Sequence, residues 1–301
     1  MSMVRRLAFA LLATASVPAM PGHPVRAAQA SPAAAYPRFT VETIGTAGPD
    51  VILIPGLATP REVFRPLADA LKGKARLHLI ELRGFAPGDP GPNARGGAIA
   101  GLVEGLADYI AAHKLAHVRI VGHSLGGFAA LELAQTHPGG IDGVMIVDAL
   151  PFAGMIYGGA GATVEMIAPQ AGIARDRLLA MAATGEAMPP ATQLALSDEG
   201  KARITAWTAG VDLPTVAHAM YEDLTTDARP GLPALKVPLT ILVPLAGSEA
   251  EQEAARRLYE SAYAAAPGAR IVTLPGSGHL AMLDQPQAFA QAVRGFLFPE
   301  D

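Results

Sequence analysis

Short, unbroken apolar runs alternate with longer amphipathic stretches through most of this chain, and that alternation constrains its fold more than any other feature. "DVILIPGL" at 50–57 is continuous in its apolar residues and stops at Pro-Gly, as expected of a strand covered on both faces. "REVFRPLADALKG" at 61–73 follows with helical spacing and a glycine stop. The same pairing recurs downstream. Strands are predicted at 75–84, 117–124, 141–150, 239–245 and 269–276, and helices at 98–115, 125–138, 249–268 and 286–298. "RFTVETIG" at 38–45 alternates apolar and polar residues and reads as an edge strand. Strands separated by helices predict an α/β fold, a mostly parallel central sheet with helices on both faces.

Residues 151–235 break the rhythm. They are rich in Met, Ala and Pro, contain "GGAGA", and read as several short helices with no strand. Their place between two strands predicts a helical cap inserted into a core made of 31–150 and 236–301. A chain of 301 residues, 50% hydrophobic, is long enough for one such core.

The first thirty residues stand apart. "MSMVRR" is basic, "LAFALLATASV" is a short apolar run, and Ala28 and Ala30 frame a small-residue cleavage site. This is the pattern of a secretory signal peptide, predicting a periplasmic or secreted protein. The apolar run is too short for a stable membrane span. Its removal takes away Arg5, Arg6 and Arg26 and no acid, so the mature chain is more acidic than the formal −4 of the whole. With no basic cluster beyond the leader, nucleic acid is not an expected partner. Cysteine is absent, which excludes disulfides, thiolate nucleophiles and cysteine metal sites. His113 and His117 are four apart with no third ligand nearby, so they read as surface residues and no metal is expected. Nothing in the pattern requires a cofactor or specifies an oligomer.

The chemistry concentrates around Gly122-His123-Ser124-Leu125-Gly126, a G-x-S-x-G sequence lying between a predicted strand and a predicted helix. That is the context in which a serine is lifted to the top of a sheet by a turn too tight for larger neighbours. The helix N-terminus behind Ser124 favours developing negative charge. His279, in "LPGSGHLAMLDQP", follows the last predicted strand and is the candidate base, whereas His123 reads as a packing residue with local bonds.

On these motifs the chain resembles the α/β-hydrolases over roughly residues 38 to 298. The resemblance implies the chain order nucleophile, acid, base. "LIPGL" is similar to the family's first oxyanion loop, with proline where many members carry histidine. It implies that the backbone N–H groups of Leu57 and Leu125 hold the oxyanion. "ELRGFAPGDP" resembles the family's glycine-bearing loop after its fourth strand.

The acid is the open position. Most members place it after the strand that follows the cap, where this chain has Leu245 to Gly247, none of which can serve. Glu249 stands slightly later. The other candidate is Asp148, ending "MIVDALP" one strand over, where burial would require a partner such as His279. A chain with no functional acid is the third reading. Asp284 reads as a cap for the last helix.

The expected activity is that of a serine hydrolase, a carboxylesterase acting on small or apolar esters through an acyl-enzyme. Met155, Met166, Met181, Met188 and Met220 in the cap suit an apolar pocket. Amidase or haloperoxidase-like chemistry can use the same residues, and a binding protein without turnover can keep the fold.

Overall fold

A computed structural model of the chain describes residues 36–299; the predicted signal peptide lies outside the described residues. Seven strands form one sheet: β1 (Phe39–Ile44), β2 (Asp50–Ile54), β3 (Arg76–Leu82), β4 (Val118–His123), β5 (Ile141–Val147), β6 (Leu239–Leu245) and β7 (Arg270–Pro275). Their order is β1-β3-β2-β4-β5-β6-β7. β1 pairs antiparallel with β3 at the edge, and every other pair is parallel. The strands from β2 to β6 are nearly continuous in apolar residues because helices cover both of their faces.

Side chains two apart in a strand share a face, so each strand feeds two cores. Ile52, Ile54, Ile120, Ile146 and Ile241 point to one side, against α2 (Ala98–Ala112) and α3 (Leu125–Thr136). Val51, Leu53, Val121, Met145 and Leu242 point to the other, against α1 (Arg65–Ala70) and a later helix of residues 286–297 that contributes Phe289, Val293 and Leu297. Each such side chain contributes about 1.5–3 kcal/mol relative to exposure. The segment at 61–70, read as one helix, is a 3-10 turn (Arg61–Phe64) running into the short α1.

Between β5 and β6 the chain is helical: α4 (Met155–Gly158), α5 (Val164–Thr184), α6 (Asp198–Thr208) and α7 (Leu213–Thr225). α5 corrects the expectation of short helices, for it runs 21 residues. Pro169 and Gly172 hide it in the sequence, but Pro169 removes just one intrahelical bond and the helix continues. Thr163 starts α5 by accepting from Met166 N, and Gly185, at φ 73°, ends it. Asp212 caps α7 through Thr215 N at 2.9 Å. Glu222, on α7, accepts from the free amides Ile99 N and Ala100 N at the start of α2, tying this layer to the core.

After β6 comes α8 (Glu249–Tyr263), opened by a reciprocal capping box between Ser248 and Glu251. β7, α9 (Ala281–Asp284) and α10 (Pro286–Leu297) complete the described chain. Among the described residues no helix is long and apolar enough to cross a membrane.

Candidate active site

The site forms where β4, β5 and β7 end. Ser124 follows β4 directly and has φ 52° and ψ −125°, a conformation that non-glycine residues rarely adopt. Holding it costs about 1–3 kcal/mol, which the surrounding packing enforces. A Cβ on Gly122 would lie 2.3 Å from Gly126 O, and one on Gly126 would lie 2.4 Å from Ile54 O. Both positions therefore need glycine for the turn to close. Ser124 N donates to Val147 O at 2.9 Å, pinning the elbow to β5. The Ser124 hydroxyl does not cap the helix it begins, and Ser124 lines the cavity.

Asp148 immediately follows β5, at φ 49°, with its N–H bonded to Leu242 O of β6. Aspartate tolerates this left-handed region better than most residues. Its Oδ2 lies 2.6 Å from His279 Nδ1. Its Oδ1 accepts a hydrogen bond from the Tyr259 hydroxyl of α8. Next to it, Tyr263 donates to Ala149 O at 2.8 Å. Two tyrosines one helical turn apart thus fix the acid and its neighbour. With Nδ1–H committed to Asp148, the lone pair of the imidazole is left on Nε2, the form a general base requires.

Of the two carboxylates named from sequence, Asp148 is the one joined to His279. Glu249 is exposed at the first position of α8, where its charge suits the helix dipole. The strand-end location of Asp148 beside β4 explains how an acid one strand over reaches the same imidazole: β4 and β5 pair in parallel up to His123 and Val147.

His123 does more than pack locally. Its Nε2 donates to the carbonyl oxygen of His279 at 2.9 Å, across 156 positions of sequence. Burial and the neighbouring His279 hold the His123 imidazole well below its ordinary range, so it is neutral. Asp284 corrects another expectation. It does not cap α10 but accepts from Leu196 N, Ser197 N and Gly278 N, joining the cap to the loop that carries His279.

The cavity has two lobes, of about 750 and 970 Å³ including the part open to solvent. Ser124, His279, Ala153, Ile156 and Asp223 line both, so the lobes meet at the candidate nucleophile and base. Leu57 lines the larger lobe, and Leu125 is the first residue of α3, so its N–H has no acceptor in its own helix. Of the five methionines expected around the pocket, Met188 and Met220 line it. Met155 is buried in the core and Met166 faces solvent. His113 ends α2 and His117 pairs with Asp142 at the surface. Among the described residues no group of three or more His, Cys, Asp or Glu is arranged to hold a metal ion.

Tyr259 and Asp223 are the site residues that the sequence reading missed. Tyr259 acts across 111 positions and Asp223 acts from the cap, so no local motif marks either.

A model of the alpha/beta hydrolase family matches residues 51–292, and the chain belongs to that family. Two of the curated proteins it resembles are pimeloyl-[acyl-carrier protein] methyl ester esterases. The one from Aeromonas hydrophila is 28% identical over 274 residues, covering 86% of this chain and 98% of the relative. The one from Xanthomonas campestris pv. campestris is 30% identical over 271 residues, covering 85% and 98%. Among solved structures, an esterase from Exiguobacterium antarcticum superposes with a TM-score of 0.66 at 19% identity, covering 86% of this chain and 95% of that one, a likeness of fold.

Proposed function

We propose that this protein is a carboxylesterase that works through an acyl-enzyme on Ser124, with His279 as base and Asp148 as the supporting acid. The observation that carries the reading is the hydrogen bond between His279 Nδ1 and Asp148 Oδ2, made beside a strained serine in one shared cavity. The names of the curated relatives support an ester as the substrate.

In this scheme Ser124 Oγ forms a bond to the ester carbonyl carbon while its proton passes to His279 Nε2. The N–H groups of Leu57 and Leu125 receive the negative charge that develops on the carbonyl oxygen. The bond to the alcohol oxygen then breaks, and the proton on His279 goes to the departing alcohol. Water attacks the acyl carbon, giving its proton to His279, and the acid leaves as Ser124 recovers that proton. Throughout, Asp148 stabilises the imidazolium and Tyr259 orients Asp148.

The test is labelling with a fluorophosphonate probe, compared between the natural protein and Ser124→Ala, alongside hydrolysis of p-nitrophenyl butyrate. The reading expects stoichiometric labelling and turnover that both vanish in the variant. A folded protein that neither labels nor hydrolyses would instead be a binding protein on this fold.

A further inference from the structure

Two neighbouring acids on α7 have opposite fates. Glu222 is committed to the amides of Ile99 and Ala100. Asp223 lines both lobes of the cavity, at the point where they meet beside Ser124 and His279. Around it the walls are largely apolar: Ala153, Ile156, Met220 and Leu224. A carboxyl in such a place is expensive to desolvate, and polar groups of this kind in binding cavities orient ligands.

The composition of the cavity wall says which ligand. Among the described residues, Asp148, Asp223 and Glu251 are the carboxylates that line it, and neither lobe is lined by lysine or arginine. Asp148 is occupied with His279 and Tyr259, and Glu251 with Ser248. Asp223 is the carboxyl at the junction that a substrate group can meet. Trp207 and Tyr157 line the larger lobe with it, and aromatic rings are the apolar groups that attract cations. An anionic group near the scissile bond would face repulsion from the carboxylates of this wall, with no lysine or arginine in the lining to offset it.

We propose that Asp223 is the specificity-determining residue of the cavity, and that it receives a positively charged nitrogen carried a few atoms from the scissile carbonyl, making cationic esters the preferred substrates. The proposal rests on the carboxylesterase reading above. The burial that pushes the Asp223 carboxyl up to about 7 is relieved when an ammonium group supplies its partner, and this agrees with the geometry.

The experiment compares kcat/KM for charged esters and their uncharged carbon isosteres at pH 8 and low salt. Butyrylcholine against 3,3-dimethylbutyl butyrate places the cation on the alcohol side. Methyl 4-(trimethylammonio)butanoate against methyl 5,5-dimethylhexanoate places it on the acyl side. In at least one pair the charged ester is favoured on the order of tenfold, as expected of a quaternary ammonium that gains ion-pair and cation–π attraction in the cavity without donating a hydrogen bond. Asp223→Asn collapses that ratio toward one, and Asp223→Glu restores it, which a structural role would not do. Fluorophosphonate labelling of each variant separates the two readings: lost labelling in the natural protein defeats the esterase itself. Intact labelling with a ratio near one in both pairs, or a ratio indifferent to Asp223→Asn, overturns the role of Asp223.

Discussion

His279 and Asp148 meet at 2.6 Å although 131 positions separate them, and the second oxygen of the same carboxylate is held by Tyr259 from a third element. The acid is therefore placed by β5, the base by the loop after β7, and the clamp by α8. This division lets the corner after β6 be empty of a carboxylate without breaking the site.

Removing the clamp should weaken catalysis without abolishing it. Tyr259→Phe leaves Asp148 Oδ1 without its donor in a buried setting, a loss of about 1–3 kcal/mol. Turnover of p-nitrophenyl butyrate is expected to fall roughly 3- to 30-fold with KM little changed, since the effect acts through the imidazole. A shift in KM alone would place Tyr259 in substrate binding instead.

Gly56 packs directly against the elbow. A Cβ there would sit 2.8 Å from His123 Nδ1 and 2.9 Å from Ser124 Cβ. Gly56→Ala should push the loop bearing Leu57 away from the nucleophile. A displacement near 1 Å can reduce kcat/KM on the order of 100-fold, with the fold retained by circular dichroism. Unchanged kcat/KM would show that the loop does not take part in the reaction.

Asp284 holds three amides from two separate segments. Asp284→Ala should destabilise the protein by about 2–4 kcal/mol in urea unfolding. It should also lower turnover, because Gly278 directly precedes His279. Stability lost with full activity would confine Asp284 to the cap.

The pH dependence of stability carries a signature of Asp223. Its folded-state value of about 7 lies above the ordinary 3.8, chiefly through burial and against the opposing pull of His279. Between those values the native protein holds a proton that the unfolded chain has released. Stability from this group is thus fully present below about 4, falls as pH rises, and is lost above about 7. Asp223→Asn removes that decline. Its Tm should match the natural protein near pH 4 and exceed it by a few degrees at pH 8. Equal Tm differences at both pH values would contradict the assignment.

The sheet was legible because burial on both faces leaves a mark: runs such as "VILI" in β2 and "ILVPL" in β6 have no polar residue on either side of the pleat. The elbow was legible because steric crowding demands glycine at 122 and 126. Asp148 and Glu249 remained rivals in sequence because the choice depends on which strand end faces His279, a matter of sheet order. Asp284 misled for a physical reason. It stands just before a helix, as caps do, but its side chain turns back to Leu196, Ser197 and Gly278. Tyr259 sits on an amphipathic helix among charged residues and looks like ordinary core; its hydroxyl has meaning only once β5 is beside it.

The central claim is that Asp148 supports His279 in a working triad, and steady-state hydrolysis of p-nitrophenyl butyrate by Asp148→Asn and Glu249→Gln tests it most directly. Loss of the supporting carboxylate should reduce kcat on the order of 10⁴ in Asp148→Asn, as in other triads, while Glu249→Gln keeps the activity of the natural protein. Full activity in folded Asp148→Asn, or a comparable collapse in Glu249→Gln, would contradict it.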